Sequence, residues 1–320
     1  MTQNQPFVQS SLPAWHRNLL TAAAVFTVLL IAMGGVLCVT QSIRSCPDWP
    51  GCFGKIIPPL ETSPILEITH RLLAATSGLL IIAAAIVGLI RAPRLRWIMV
   101  PPLAASVLLV EVSYFGAQVV LHGLAPGWAA VDVGSALLVV ALMISAALIA
   151  QARRSFPALL DRLTFRSPFA RLALVTIAVV YGVLVSGVLV AGKNSITGCL
   201  GWPVYSPLQY QIDSQGAGNI LRLVCSGFGV LLILMLMLQA WLRRKQQPAT
   251  FRSACWVLAL FLIEILVQGL LLVFGFKVAL LVVYTVTAAA FWGVLVALVI
   301  NAGLEADLGP TLSIQNSNLG

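Results

Sequence analysis

Charged residues are scarce in this sequence. The 19 basic and 10 acidic residues make 29 of 320, or 9%, whereas about 25% is usual for a soluble domain. Together with 60% hydrophobic residues, this scarcity excludes an ordinary soluble globular protein. Histidine is also rare, with three residues, and cysteine occurs six times. Few side chains are therefore available for metal binding or catalysis, and each can be considered individually.

Long apolar runs account for most of the chain. A membrane-spanning helix needs about 20 apolar residues, and eight segments meet this length: Leu19–Val39, Leu66–Ile90, Trp97–Leu121, Ala129–Ala150, Leu172–Val190, Leu221–Trp241, Ala254–Phe274 and Val278–Ile300. The first run follows a polar leader without a cleavage pattern, which indicates a retained helix.

The basic residues indicate how the helices are oriented. If the N-terminus is cytoplasmic, 13 of the 19 Lys and Arg residues fall on the inner side. This bias predicts a cell-membrane protein with both termini in the cytoplasm. The net charge of +9 is then an orientation signal, and no nucleic-acid partner is needed to explain it.

The two halves of the sequence repeat each other. Long polar stretches, Thr40–Ile65 and Gly192–Asn219, follow the first and fifth spans. Matching positions are Gly35 with Gly187, Cys46 with Cys199, Trp49 with Trp202, His70 with Leu221, Arg71 with Arg222, Glu111 with Glu264, Gly123 with Gly275 and Asp132 with Tyr284. We therefore predict an all-α integral membrane protein of eight transmembrane helices, arranged as two pseudo-symmetric four-helix bundles, residues 1–160 and 161–320.

The cysteines divide into two groups. Cys46 and Cys52 lie close together on the predicted outer face, where a disulfide can form and persist; two free thiols or a thiol relay are the alternatives. Cys199 lacks such a partner, because Tyr205 stands where the repeat predicts a cysteine. The cysteines within or beside spans are interpreted as small apolar packing residues: Cys38, Cys225 and Cys255.

The segment Glu67-Ile68-Thr69-His70-Arg71 begins the second span at its outer end. Glu67 and His70 are three positions apart and share a helix face. An imidazole there can ligate haem iron or another metal, and the carboxylate can move protons. The structural alternative is a carboxylate favoured by the helix dipole beside an interfacial histidine. Of the other histidines, His16 is interpreted as solvated, and His122 as an interfacial residue on the same side as His70.

Carboxylates within spans are costly and often mark function. Glu111 and Glu264 occupy equivalent places, which indicates a shared role in a polar network or as protonated groups that hold helices together. Asp132 lies near the start of the fourth span, where a second ligand opposite His70 is expected, although a carboxylate is a poor ligand for haem iron. A proton relay is the alternative for all three.

Taken together, these motifs resemble the bacterial haem A synthase family. The resemblance covers essentially the whole chain and rests on the loop motif Ser45–Gly54 combined with Glu67-x-x-His70-Arg71. It implies a membrane enzyme that oxidises the methyl group of haem O to the formyl group of haem A, with a second haem as cofactor.

The resemblance also implies roles for individual residues. Glu67 is the catalytic carboxylate, His70 an axial ligand in the substrate-haem half, and Cys46 with Cys52 an outer-loop disulfide. Arg71 and Arg222 are expected as partners of the haem propionates, and His122 or Asp132 as the group on the second side of the iron.

The chain also departs from the family pattern, which has a histidine at the start of the second, fourth, sixth and eighth spans. Only His70 is kept, while Asp132, Leu221 and Tyr284 stand at the other places. Leucine cannot bind iron, and tyrosine can do so as its phenolate. We expect the second half to be a degenerate cofactor-haem site.

Three hypotheses follow. The first is a divergent haem A synthase-type oxidoreductase that binds haem b, haem O or both. The second is a non-catalytic haem-binding or cytochrome oxidase assembly protein, and the third is a proton-coupled transporter. Candidate partners are a haem O synthase, cytochrome oxidase assembly factors, membrane lipid and a second copy of the chain.

Overall fold

Eight α-helices make up most of the part of the chain that the structure describes. The computed structural model describes residues 12–55, 59–155, 163–189, 199–202 and 216–317. Its helices are α1 (Ala14–Val39), α2 (Thr62–Arg91), α3 (Arg96–Leu121), α4 (Pro126–Ser155), α5 (Pro168–Leu189), α6 (Gly216–Leu242), α7 (Pro248–Phe274) and α8 (Val278–Ser317). All eight are long and apolar enough to cross a membrane. The predicted fold class is confirmed, while Tyr205 and the predicted division at residue 160 lie outside the described residues.

Proline and glycine mark several helix ends. Pro126, Pro168 and Pro248 begin α4, α5 and α7. Proline suits this position because the backbone N–H of the first helical residue makes no hydrogen bond within the helix. Gly123 and Gly275 follow α3 and α7 with φ angles of 76° and 78°. This left-handed φ suits glycine after a helix, so a glycine with positive φ follows the third helix of each repeat.

The helices pack as two closed rings that share one interface. In the first bundle α1 contacts α2 and α4, and α3 contacts both of these neighbours; α5–α8 form an equivalent ring. Across the interface, Nε1 of Trp292 in α8 donates to the carbonyl of Leu137 in α4 at 3.0 Å. Gly35 of α1 meets Thr285 of α8 so closely that a Cβ at Gly35 would lie 2.8 Å from Cβ of Thr285. Small residues thus allow close helix approach between the bundles.

His16 is not solvated, so that prediction is wrong. Helix α1 begins at Ala14, within the polar leader, and His16 is fully buried in it. Its ring stacks on Trp15 with centroids 5.6 Å apart. The helix starts five residues before the predicted span, and this added turn directs His16 into the protein.

Candidate functional site

A small loop closed by a disulfide lies between α1 and α2. Cys46 and Cys52 form a disulfide, and both residues are fully buried. The Asp48 carboxylate accepts hydrogen bonds from the Phe53 N–H at 2.5 Å and the Gly54 N–H at 2.7 Å. We call residues 46–55 the disulfide loop; its backbone is turned on itself by covalent and hydrogen bonds within ten residues.

The disulfide loop carries an acid-sensitive contact. The Gly54 N–H, and then the Phe53 N–H, hold the pKa of the Asp48 carboxyl below its ordinary value. Because the pKa is lowered in the folded state, the stability that this carboxylate contributes is present above about pH 4. That contribution is lost as the pH falls through the folded-state pKa.

We expect Asp48→Asn to lower Tm by a constant amount between about pH 5 and 8, and by a shrinking amount below about pH 4. Thermal unfolding of the purified protein across this range measures the difference. Glu61→Gln is the matched control for the loss of one negative charge, because Glu61 is exposed and its side chain makes no cap hydrogen bond. A difference that stays unchanged down to about pH 3 would contradict the assignment.

Glu67 attaches the disulfide loop to α2. Its side chain is 2% exposed and forms an ion pair with Arg71, one helical turn later. The other carboxylate oxygen, Oε2, accepts hydrogen bonds from the Ser45 hydroxyl at 2.9 Å and from the Cys46 N–H at 2.8 Å. A buried carboxylate needs such partners, and here three donors satisfy it.

Arg71 completes this attachment. Its Nη1 donates to the backbone carbonyls of Asp48 at 2.8 Å, Pro50 at 3.1 Å and Gly51, while Nη2 pairs with Glu67. We call Glu67 and Arg71 the clamp. One helix turn of α2 thus binds both the start and the middle of the disulfide loop, and the sequence motif has a structural task besides any chemical one.

His70 lies between the two clamp residues in sequence and faces α1. A Cβ atom at Gly34 would lie 3.4 Å from Cε1 of the His70 ring, so the absence of a side chain at Gly34 leaves room for the imidazole. The Nδ1 atom of His70 is buried and has no hydrogen-bond partner among the described residues. A buried imidazole nitrogen without a partner is unusual, and it fits a residue whose ring has a ligand to bind, such as haem iron.

His122 lies at the surface. It follows the last residue of α3, is exposed, and its Nδ1 lies 2.9 Å from the side-chain oxygen of Gln118. A Cβ at the adjacent Gly123 would lie 3.7 Å from a guanidinium nitrogen of Arg44, so the α3–α4 turn and the segment before the disulfide loop meet at one end of the bundle. No hydrogen bond joins His122 to His70 in the described chain.

Asp132 belongs to a polar cluster between helices. The Ser135 hydroxyl of α4 contacts both carboxylate oxygens of Glu111 in α3, at 3.0 and 2.9 Å, which supports a helix-joining role for Glu111. Asp132 and Tyr181 lie near Glu111. The Oδ1 atom of Asp132 is buried without a hydrogen-bond partner in the described part of the protein.

The equivalent positions of the second bundle differ. Leu221, at the place of His70, is 64% exposed, whereas Tyr284, at the place of Asp132, is 3% exposed. Arg222 is buried, and its Nε lies 3.4 Å from the carbonyl of Val183. Glu264 is buried, and neither carboxylate oxygen has a partner among the described residues. Tyr284 lies near both of these side chains.

One site-forming contact was missed. Cys38 forms a disulfide with Cys199, so its interpretation as a packing residue is wrong. The two lie 161 residues apart, in different halves of the chain, and only tertiary folding brings them together. A signal was present: Cys199 lacked a partner within its own loop, and Cys38 ends the first span on the same side of the membrane.

Residues 17–296 match the family described as Cytochrome oxidase assembly protein. The chain belongs to the cytochrome oxidase assembly protein family. The match covers α2–α7 and most of α1, and it extends into α8, so both bundles of this family member are included.

Individual relatives agree with the family. A Heme A synthase from Exiguobacterium sp. is 31% identical over 182 residues, which are 55% of this chain and 58% of that protein. A Heme A synthase from Alkalihalophilus pseudofirmus is 25% identical over 266 residues, 80% of this chain and 86% of that protein. Protoheme IX farnesyltransferase 1 from Natronomonas pharaonis is 31% identical over 133 residues, 42% of this chain and 26% of that protein. The resemblance to haem A synthases is confirmed, and this family member spans less than two thirds of the first of these relatives.

Proposed function

We propose that this protein is a haem A synthase-type membrane oxidoreductase that takes haem O as substrate and forms haem A for cytochrome oxidase biogenesis. The observation that carries the proposal is the buried, unpartnered Nδ1 of His70 on α2, in a chain of this family. In this proposal the His70 imidazole would hold haem in the first bundle, residues 1–160, and the haem would supply the redox chemistry.

The clamp holds the residues beside this ligand in place. Glu67 precedes His70 by three positions, on the same face of α2, and its Oε1 is paired with Arg71. A proton taken up by Glu67 would therefore go to Oε2, which is bonded only by the neutral Ser45 and Cys46 donors. The proposed role of Glu67 is to receive protons that leave the substrate methyl group as it becomes a formyl group.

Arg71 and Arg44 are our proposed partners of the haem propionates in the first bundle. Arg71 directs Nη1 to three loop carbonyls and Nη2 to Glu67, so a propionate would compete with these acceptors. Arg44, near the α3–α4 turn, is a cation at the same end of the bundle. We keep Arg71 as a proposed propionate partner and add Arg44. Arg222 remains a proposed partner only for a haem in the second bundle, together with Tyr284.

The family and the distribution of basic residues support a proposed location and proposed partners for this protein. This is a multi-pass membrane protein with eight helices apolar enough to span a bilayer, and we propose the cell membrane with both termini in the cytoplasm. A relative named for protohaem farnesyl transfer shares 133 aligned residues with this chain, which supports a haem O synthase as the source of substrate. Cytochrome oxidase assembly factors and a second copy of this chain are the other proposed partners.

The second candidate function is a non-catalytic haem-binding protein of cytochrome oxidase assembly. The state of the second bundle favours it, because Leu221 points outward and Tyr284 is buried, and neither offers the imidazole of the family pattern. A protein with this arrangement could bind haem at His70 and transfer it without oxidising it. The transporter hypothesis is not proposed, since the relatives are named for haem chemistry.

Co-expression with a haem O synthase, in a host that makes no haem A, distinguishes the two candidates. We expect haem A in membranes that contain this protein and only haem O in membranes that contain the His70→Ala variant. Extraction of haems and separation by chromatography give the measurement, with immunoblots to show equal protein. Unchanged haem O beside stable wild-type protein would reject the oxidoreductase and favour the non-catalytic candidate.

A further inference from the structure

Two equivalent tryptophans have opposite surroundings. The first repeat contains Cys46 followed three residues later by Trp49, and the second contains Cys199 followed by Trp202. Trp49 is 50% exposed, whereas Trp202 is 6% exposed. The disulfide loop thus lies outside the first bundle, while its counterpart, residues 199–202, enters the second.

Trp202 lies deep among the helices of the second bundle. Its ring packs edge to face against Phe261 of α7 and Phe291 of α8, with ring centroids 5.3 Å and 6.2 Å apart. A Cβ at Gly229 of α6 would lie 2.8 Å from Cη2 of the same ring. Phe261, Phe291 and Gly229 each lie thirteen residues from one end of their helix, which is about 20 Å along the helix axis. The indole therefore fills the interior near the middle of a bilayer about 30 Å thick.

Tyr284 packs against the same segment, at Gly201. A Cβ at Gly201 would lie 2.2 Å from Cε1 of Tyr284, so the phenol ring packs directly on the backbone of the segment. Gly201 stands where the first repeat has Asp48, and Tyr284 stands where it has Asp132. The residues that differ between the repeats are those that permit this packing, and the disulfide of Cys199 with Cys38 attaches the segment to the end of α1.

A second haem does not fit this arrangement. The family's ligand positions in this bundle hold Leu221, which is 64% exposed, and Tyr284, whose ring is occupied against Gly201. Leu200 and Trp202 belong to the main buried core of the protein. The place between the helices is taken by side chains of the protein itself.

We infer that residues 199–202 form a plug, the Trp202 plug, which replaces the cofactor haem of the second bundle and leaves this chain with one haem site, at His70. The plug follows from packing alone, whereas the count of one haem rests on the proposed function. If the chain oxidises haem O, conversion of the methyl to the formyl group takes up one water and releases four electrons and four protons. Those electrons must then pass to an oxidant outside this chain, such as a quinone, dioxygen or a redox protein with its own acceptor group.

Cysteine labelling in intact membranes tests the plug. Trp202→Cys is treated with a membrane-impermeant maleimide and compared with Trp49→Cys, its matched control in the other repeat; the unmodified chain gives the background from Cys225 and Cys255. We expect the thiol at position 202 to react at least about ten-fold more slowly, because the site is 6% exposed and the control site 50%. Equal rates would overturn the plug.

A second variant covers the case in which the tryptophan replacement fails to fold. We expect Gly201→Ala to lower Tm by about 5 °C or more, because its methyl group collides with Tyr284. Gly227→Ala, with open space at its Cβ, should leave Tm unchanged or slightly raised. No difference between these two variants would also overturn the plug.

Haem content per chain tests the single site. We expect one haem in the wild-type protein and none in His70→Ala. Two haems per chain, or haem retained in His70→Ala, would overturn the inference. Absence of haem from the wild-type protein would reject the proposed function, and the labelling rates would still decide whether the plug exists.

Discussion

Replacing Glu67 with alanine is expected to lower the free energy of unfolding by about 3–5 kcal/mol. The change removes the acceptor of the Ser45 hydroxyl and the Cys46 N–H, and it leaves Arg71 without its anion. The pair is well shielded from water, with the two side chains 2% and 14% exposed, so solvent cannot replace the lost contacts. Unfolding of the purified protein by denaturant or heat gives the measurement.

Two further variants separate structure from chemistry at this residue. Glu61→Ala is the control, because Glu61 is exposed at the start of α2 without a cap hydrogen bond, and it should change stability by less than about 0.5 kcal/mol. Glu67→Gln keeps an oxygen for Ser45 and Cys46 and should cost about 1–3 kcal/mol. If Glu67 also receives protons, Glu67→Gln should keep bound haem but form no haem A. A variant as active as the wild type would confine Glu67 to the clamp.

Replacing His70 with alanine is expected to abolish haem binding. The substitution removes the imidazole that packs beside Gly34 with an unpartnered Nδ1, and alanine offers iron no ligand. Optical spectra and extraction of haem from the purified variant measure the loss. Compared with the haem-free wild type, the stability of the variant should change little, because the ring makes no hydrogen bond through Nδ1 in the described structure. This comparison separates loss of a ligand from loss of the fold, since bound haem itself stabilises the folded protein.

His16→Ala is the matched control for this experiment. His16 is also a buried histidine, but it lies 18 residues before Gly34 on α1, about 27 Å along the helix axis. The variant should keep its haem. Haem loss in both variants would indicate a general collapse of the first bundle and would contradict the assignment of His70. A changed spectrum in His122→Ala or Asp132→Ala would identify the group on the second side of the iron.

Much of this architecture could be predicted from composition and periodicity. A bilayer interior provides no water to hydrogen-bond the backbone, so each apolar run of sufficient length has to become a helix. All eight spans can be predicted for this reason, although six of the helices begin three to six residues before the predicted spans. The helix pattern also placed Glu67 and His70 on one face, because spacing along a helix is a local property.

The candidate site could be predicted only in part. The sequence motif predicts proton transfer for Glu67 and propionate binding for Arg71, and the structure adds a clamp on the carbonyls of the disulfide loop. Such contacts join residues about twenty positions apart in the sequence, and no periodic sequence pattern predicts them. The roles of His70, His122 and Asp132 toward haem remain predictions from the family pattern.

The sequence by itself determined the class of this protein, its eight spans and its internal repeat, because hydrophobicity and helical spacing act over neighbouring residues. Only the tertiary structure decided that Trp49 stays at the surface while residues 199–202 enter the second bundle. Trp49 and Trp202 have the same local motif, yet one is exposed and the other buried. The difference depends on Tyr284, Gly229 and the Cys38–Cys199 disulfide, which are distant in sequence. Packing in three dimensions, and not the motif, selects the side chain that fills the bundle.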